Sequence, residues 1–218
     1  MDKKRAYIFD IDGTLMDSRP AIHRLIRDWF TSHSLPTPSY EQIMQHIHST
    51  DLEGVLVRFL PSDYRKPEAL QSVTREVDNL YSHVYLPKYL ILINGAVERL
   101  TRLQNHGIRI ALVTNGTRQM MKQFIRLFKL YSVIDIAISA NDVKKPKPDP
   151  SGILQALDFL DMEPKYAVFV GDTTTDMRAG EAAGILSIGV LSGIGNEEEL
   201  LNAGADSVAK SVAEMKQF

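Results

Sequence analysis

Four short segments of the chain carry the side chains best suited to chemistry. The first is Asp10-Ile11-Asp12-Gly13-Thr14-Leu15, with two acids two residues apart. The others are Thr114-Asn115-Gly116, Lys145-Pro146-Lys147-Pro148 following Asn141 and Asp142, and Gly171-Asp172-Thr173-Thr174-Thr175-Asp176. Acids dominate this set. Carboxylates gathered at one place repel each other, and a hard divalent cation relieves the repulsion. Oxygen donors without histidine or cysteine favour Mg²⁺ over zinc, with Asp10, Asp12, Asp172 and Asp176 as the candidate metal residues. Mg²⁺ commonly joins one or two carboxylates to a substrate phosphate. A phosphate also needs donors. The Thr114 hydroxyl, the N–H groups of Asn115 and Gly116 ahead of an expected helix, and the Lys145 ammonium are the candidates. Positioning and charge neutralisation are the main requirements of phosphoryl transfer, and this set supplies both.

The attacking group follows by elimination. The chain has no cysteine, and no histidine is placed as a base for Thr114. A carboxylate is ionised at neutral pH and can attack phosphorus to form an acyl phosphate. Asp10 follows the apolar run Ala6–Phe9, so a buried strand would aim it, and Gly13 permits a sharp turn beside it. Asp12 could then protonate the leaving oxygen and later activate water, given a raised pKa. A calcium loop starting at Asp10 would want Gly and Glu at its sixth and twelfth positions, where Leu15 and Ala21 stand. Lys144 and Lys147 compete with Lys145, and the proline spacing selects Lys145. Asp172 and Asp176 also suit an N-cap and a first-turn acid, a structural role compatible with metal binding.

These segments need elements to aim them. The apolar runs Ala6–Phe9, Ile108–Val113, Ile134–Ile138, Ala167–Val170 and Leu186–Leu191 have the length and composition of buried strands. Helical patterns separate them: Val97, Leu100 and Leu103 before Gly107; Met120, Met121, Phe124, Ile125 and Phe128 after an expected N-cap at Thr117; and Ile153, Leu154, Leu157 and Leu160 after Asp149-Pro150. Alternating strands and helices give an α/β fold, a parallel sheet with helices on both faces. The alternation breaks between Met16 and about Pro87. There Ile22, Leu25, Ile26, Trp29 and Phe30 form a helical stripe. Ser39 and Gln42 have capping-box spacing, and Pro67 opens a segment carrying Leu70, Val73, Val77, Leu80 and Val84. The expectation is a core of residues 1–15 and 91–218 with an all-α insert of residues 16–90, hinged at Asp17–Pro20 and about Leu86–Asn94.

A chain of 218 residues suits one core domain with a smaller insert. Its net charge of -2 gives no basic field for nucleic acid or an anionic membrane. No apolar run approaches the roughly 18 residues of a spanning helix. Ala6–Phe9, broken by Asp10, is too short for a signal peptide. A cytoplasmic protein, monomer or homodimer, acting on a small molecule is expected.

With the segments in this order at strand ends, the chain resembles the haloacid dehalogenase superfamily, whose core is Rossmann-like. Asp10 to Leu15 looks like its first motif; Thr114, Lys145 with its Pro-x-Pro flank, and Asp172 with Asp176 look like the second, third and fourth. The resemblance implies Asp10 as nucleophile and Asp12 as general acid/base. It implies Mg²⁺ held by the Asp10 side chain, the Asp12 main-chain carbonyl and the Asp172 side chain, with Asp176 supporting. Thr114, Asn115 and Lys145 would hold the phosphoryl group. The insert resembles the family's cap, where His46, His48, Thr50, Arg58, Arg65 and Lys66 could face substrate. His48 stands near where many capped relatives carry Gly. Phosphoglycolate phosphatase is the branch most resembled, which implies a small phosphorylated metabolite as substrate. Inorganic pyrophosphatase and sugar-phosphate mutase are the alternatives on this fold, and a catalytically silent binding module is the alternative of another class.

Overall fold

The structure, a computed structural model, describes residues 5–47 and 52–216. The chain divides into two compact units: residues 1–17 with 92–218, and residues 18–91.

The first unit is built on six parallel strands in the order β5-β4-β1-β6-β7-β8. They are β1 (Ala6–Phe9), β4 (Arg109–Val113), β5 (Ile136–Ile138), β6 (Ala167–Gly171), β7 (Leu186–Val190) and β8 (Ser207–Ala209). The short strands β2 (Met16–Asp17) and β3 (Ile91–Leu92) form a separate ribbon. β1 lies between β4 and β6, with Ile8 in register with Ala111 and Phe169. Ala6, Ile8, Ala111, Val113 and Phe169 pack on one face with Ile153, Ala156 and Leu160 of α8 (Ser151–Leu160) and Ala179 and Ala183 of α9 (Thr174–Ala183). Tyr7, Phe9, Ile110 and Leu112 alternate to the opposite face and are equally buried. That explains why these strands read as unbroken apolar runs. α6 (Ala96–Asn105), α7 (Arg118–Leu127) and α10 (Glu197–Asn202) complete the unit. Strand order reverses direction around β1, and open α/β sheets bind ligands at the strand carboxyl ends beside such a reversal.

The second unit contains α1 (Arg19–Ser32), α2 (Tyr40–Ile47), α3 (Leu52–Phe59), α4 (Pro67–Leu80) and α5 (Leu86–Tyr89), with a π-helical turn at Tyr81–Tyr85. Leu25, Ile26, Trp29, Phe30, Val55, Leu56, Val73 and Val77 are buried. Ser39 and Gln42 make the expected reciprocal cap: Ser39 N–H donates to Gln42 Oε1 at 2.8 Å, and Gln42 N–H to Ser39 Oγ at 3.3 Å.

Three local expectations shift. Ile22 is only half-buried while Ala21 is buried, so the α1 stripe starts at Ala21 and keeps Leu25, Ile26, Trp29 and Phe30. Val84 falls in the π turn, which breaks the 3.6-residue repeat, and it is exposed. α8 starts one residue later than expected. Pro150 occupies the cap position, and Asp149 Oδ1 accepts the Ser151 N–H at 3.0 Å.

Candidate active site

β1, β4 and β6 end side by side, and the ladder carries on into the loops. Asp10 N–H donates to Val170 O at 2.9 Å, and Thr114 N–H to Ile138 O at 2.9 Å. Three acids meet at this edge. Ligand oxygens of Asp10, Asp172 and Asp176 lie within 4.8 Å of one another, and all three residues are buried.

One lysine faces them, and it is Lys147. Its ammonium donates to Asp10 Oδ1 at 2.6 Å, Asp176 Oδ1 at 2.6 Å and Val113 O at 3.0 Å. All three of its donors are therefore used, which is what a buried ammonium requires. Lys145, selected from the sequence, is exposed, as is Lys144. The correction has a local cause. Asn115 Nδ2 donates to Lys147 O at 2.9 Å, and Lys147 N–H donates to Asn115 Oδ1 at 2.9 Å. This paired amide clasp draws the backbone at position 147 to the end of β4. It also engages the Asn115 side chain, and the Gly116 N–H donates to Thr114 Oγ1 at 3.0 Å. Thr114 itself is buried at the strand end.

Asp12 sits in the turn after β1. Gly13 adopts φ +78°, and its N–H donates to Met16 O at 2.7 Å. A Cβ at Gly116 would lie 3.7 Å from Asp12 Oδ2, so this carboxylate stands beside the Thr114–Gly116 turn, whereas the three-acid cluster lacks it. Asp172 accepts from Thr14 Oγ1 at 3.2 Å and from Ile194 N–H at 3.0 Å. It does not cap α9. Thr173 does: its Oγ1 accepts the Asp176 N–H at 3.2 Å, and its own N–H donates to Asp176 Oδ2 at 3.0 Å. Asp176 thus has one oxygen on Lys147 and the other on Thr173, a buttressing arrangement.

Charge is unbalanced here. Burial pushes the Asp10 carboxyl up to about 7; Lys147 opposes the rise and the Asp176 charge adds to it. Burial also raises Asp172 well above the usual carboxylate range, with Asp176 and Asp10 contributing. Lys147 is held firmly protonated. Burial alone would lower its pKa, but Asp10 and Asp176 outweigh burial. Three acids against one cation, all oxygen donors, fit a hard dication such as Mg²⁺.

In the helical unit, His46, Glu53, Arg58, Phe59 and Arg65 line a cavity of about 660 Å³. Arg65 Nε is anchored on Leu60 O at 2.7 Å. Lys66 pairs with Asp63 at the surface. His48 and Thr50 lie outside the described residues. No described helix is long and apolar enough to cross a membrane.

Sequence reasoning missed the segment after β7. Ser192 Oγ donates to Gly13 O at 2.7 Å, and Ile194 reaches Asp172 through its backbone. Its signal was the pair of glycines in Ser192-Gly193-Ile194-Gly195 at another strand end.

A Caldanaerobacter subterraneus subsp. tengcongensis protein, provisionally assigned as the pyrophosphatase PpaX, is 28% identical, over 86% of this chain and 82% of its own length. Phosphoglycolate phosphatase 1 of Pseudomonas aeruginosa is 27% identical, over 83% of this chain and 67% of its own. A solved Bacteroides fragilis structure, provisionally assigned as a haloacid dehalogenase-like hydrolase, superposes with a TM-score of 0.83 at 29% identity, covering 97% of this chain and 99% of that one. The haloacid dehalogenase-like hydrolase family matches residues 7–190, a span that contains every strand-end acid and the buried lysine. The chain belongs to the haloacid dehalogenase-like hydrolases.

Proposed function

We propose that this hydrolase is a Mg²⁺-dependent phosphatase that cleaves a small phosphomonoester, of the phosphoglycolate type, through a phosphoryl-Asp10 intermediate. The observation that carries the reading is the buried set of Asp10, Asp172 and Asp176, with Asp10 and Asp176 bonded to a single, fully bonded lysine. Asp10, Asp172 and the Asp12 carbonyl would hold the cation, with Asp176 buttressing. Bound Mg²⁺ would supply positive charge to the phosphoryl oxygens and to the crowded carboxylates.

The chain's own groups do the rest. Asp10 is aimed by β1, and Lys147 restrains its Oδ1, which favours one rotamer. Its carboxylate attacks phosphorus, the P–O bond to the leaving group breaks, and Asp12 gives the departing oxygen a proton. Asp12 then takes a proton from water, whose oxygen attacks phosphorus and frees Asp10 and inorganic phosphate. Thr114 offers its hydroxyl to the phosphoryl group, and Lys147 replaces Lys145 as the compensating cation. The helical unit would act as a cap that selects substrate and excludes water during the first step.

A panel of phosphorylated metabolites with Mg²⁺, including phosphoglycolate, a sugar phosphate and pyrophosphate, tests the reading. Turnover of a phosphomonoester is expected, with loss of at least about 10³-fold in Asp10→Asn. Full activity in that variant would overturn the nucleophile. Pyrophosphate is the second reading, favoured by the similarity to the provisionally assigned pyrophosphatase. Preferential pyrophosphate turnover would establish it.

A further inference from the structure

The loop after β7 reaches back to the site at four points. Ser192 Oγ donates to Gly13 O, in the turn that carries Asp12. Ile194 N–H donates to Asp172 Oδ2 at 3.0 Å, and Gly195 N–H to Asp172 O at 3.0 Å. Gly193 supplies the fourth contact by having no side chain: a Cβ there would stand 1.8 Å from Asp172 Oδ2. A Cβ at Gly13 would stand 2.2 Å from the same oxygen. Two glycine backbones thus approach the Asp172 carboxylate closely, and Thr14 Oγ1 donates to its second oxygen.

We propose that Ser192-Gly193-Ile194-Gly195 is a positioning loop that sets the rotamer of Asp172 and thereby the affinity of the site for Mg²⁺. The proposal rests on the metal-dependent reading given above. Gly193 is the discriminating position. Gly13 has a left-handed φ, so a side chain there strains the backbone whatever the space. Gly193 does not lie in that region, so Gly193→Ala reads the close approach to the carboxylate alone. Groups that orient metal ligands from outside the coordination sphere are typically worth about 10- to 100-fold in metal affinity.

The test is a Mg²⁺ titration followed by thermal melting without substrate, repeated with turnover as readout. Gly193→Ala is expected to raise the Mg²⁺ midpoint at least about tenfold in both, with kcat largely recovered at saturating Mg²⁺. Its melting in EDTA should fall, because the buried Asp172 carboxylate must shift to admit the Cβ, so each Mg²⁺ midpoint is read against the variant's own EDTA baseline. Ser192→Ala, which removes a hydrogen bond and introduces no clash, is expected to raise the midpoint about threefold. An unchanged midpoint in folded Gly193→Ala overturns the loop's role. Should that variant not fold, Ser192→Ala decides, a shifted midpoint supporting the role and an unchanged one overturning it. A wild-type protein whose melting ignores Mg²⁺ overturns the metal reading itself and the loop's role with it. A responsive wild type beside equally responsive variants overturns the loop alone.

Discussion

Lys147 is the only cation bonded to the buried acids among the described residues, and its loss has a consequence that can be separated from general damage. Without it, Asp10 and Asp176 face each other out of water. Breaking a buried ion pair by removing one partner costs about 3 kcal/mol or more. Lys147→Ala is therefore expected to lose about that much stability in EDTA, measured by urea unfolding, and about 100-fold or more in kcat. Lys145→Ala should stay within about 0.5 kcal/mol and keep its kcat, because that side chain is in solvent. The opposite pattern would return the role to Lys145. The proline spacing points to Lys145, but both lysines precede a proline, so that signal does not separate them. What chooses is the Asn115 clasp on the Lys147 backbone, a contact across 32 positions of chain that no local pattern encodes. Asp10, Thr114 and Asp172 were legible for the opposite reason: each directly follows an apolar strand.

α9 ties site chemistry to helix chemistry. Its first turn holds a capping box in which Thr173 and Asp176 satisfy each other, and the same Asp176 receives Lys147. Thr173→Ala should cost about 1 kcal/mol through the lost cap. It should also lower kcat by less than Lys147→Ala does, because Asp176 keeps the Thr173 N–H and the lysine. Thr173→Ser keeps the hydroxyl and should restore both quantities; failure of that rescue would show that the methyl packing matters instead. Elements were legible where composition and period agreed. The central strands β1, β4 and β6 were the most readable because both faces are covered, leaving nearly continuous apolar runs. β8 was not, being three residues long and half-exposed, and β2 and β3, at two residues each, carry no pattern at all. Thr173 rather than Asp172 capping α9 was equally hidden, because either residue type caps well.

Across the whole chain, the break in strand–helix alternation revealed a helical segment inserted after the first strand, but the alternation does not state that β1 lies between β4 and β6. That central placement gathers the acids and makes the stability of the protein depend on pH in an unusual direction. Most carboxylates in folded proteins stabilise as they ionise. Here burial holds Asp10 up at about 7 in the metal-free protein, and Asp172 is raised as well. A raised folded-state pKa favours the protonated, folded form. The resulting stability is complete below about pH 4, where the unfolded carboxylate also holds its proton, and is lost as pH rises through about 7. The metal-free protein should therefore melt at a lower temperature at pH 8 than at pH 6. Mg²⁺ competes with those protons, so its midpoint for stabilisation should fall as pH rises through about 7, by up to about tenfold per pH unit for each proton displaced. Asp10→Asn removes a crowded charge without removing its shape. It should flatten both trends and raise the metal-free melting temperature at pH 8 while abolishing turnover. Melting curves in EDTA and in Mg²⁺ at four pH values, for wild type and Asp10→Asn, decide the matter. A metal-free wild type that gains stability between pH 6 and 8 would mean that Lys147 alone neutralises the cluster, and that the acids do not need a dication for balance.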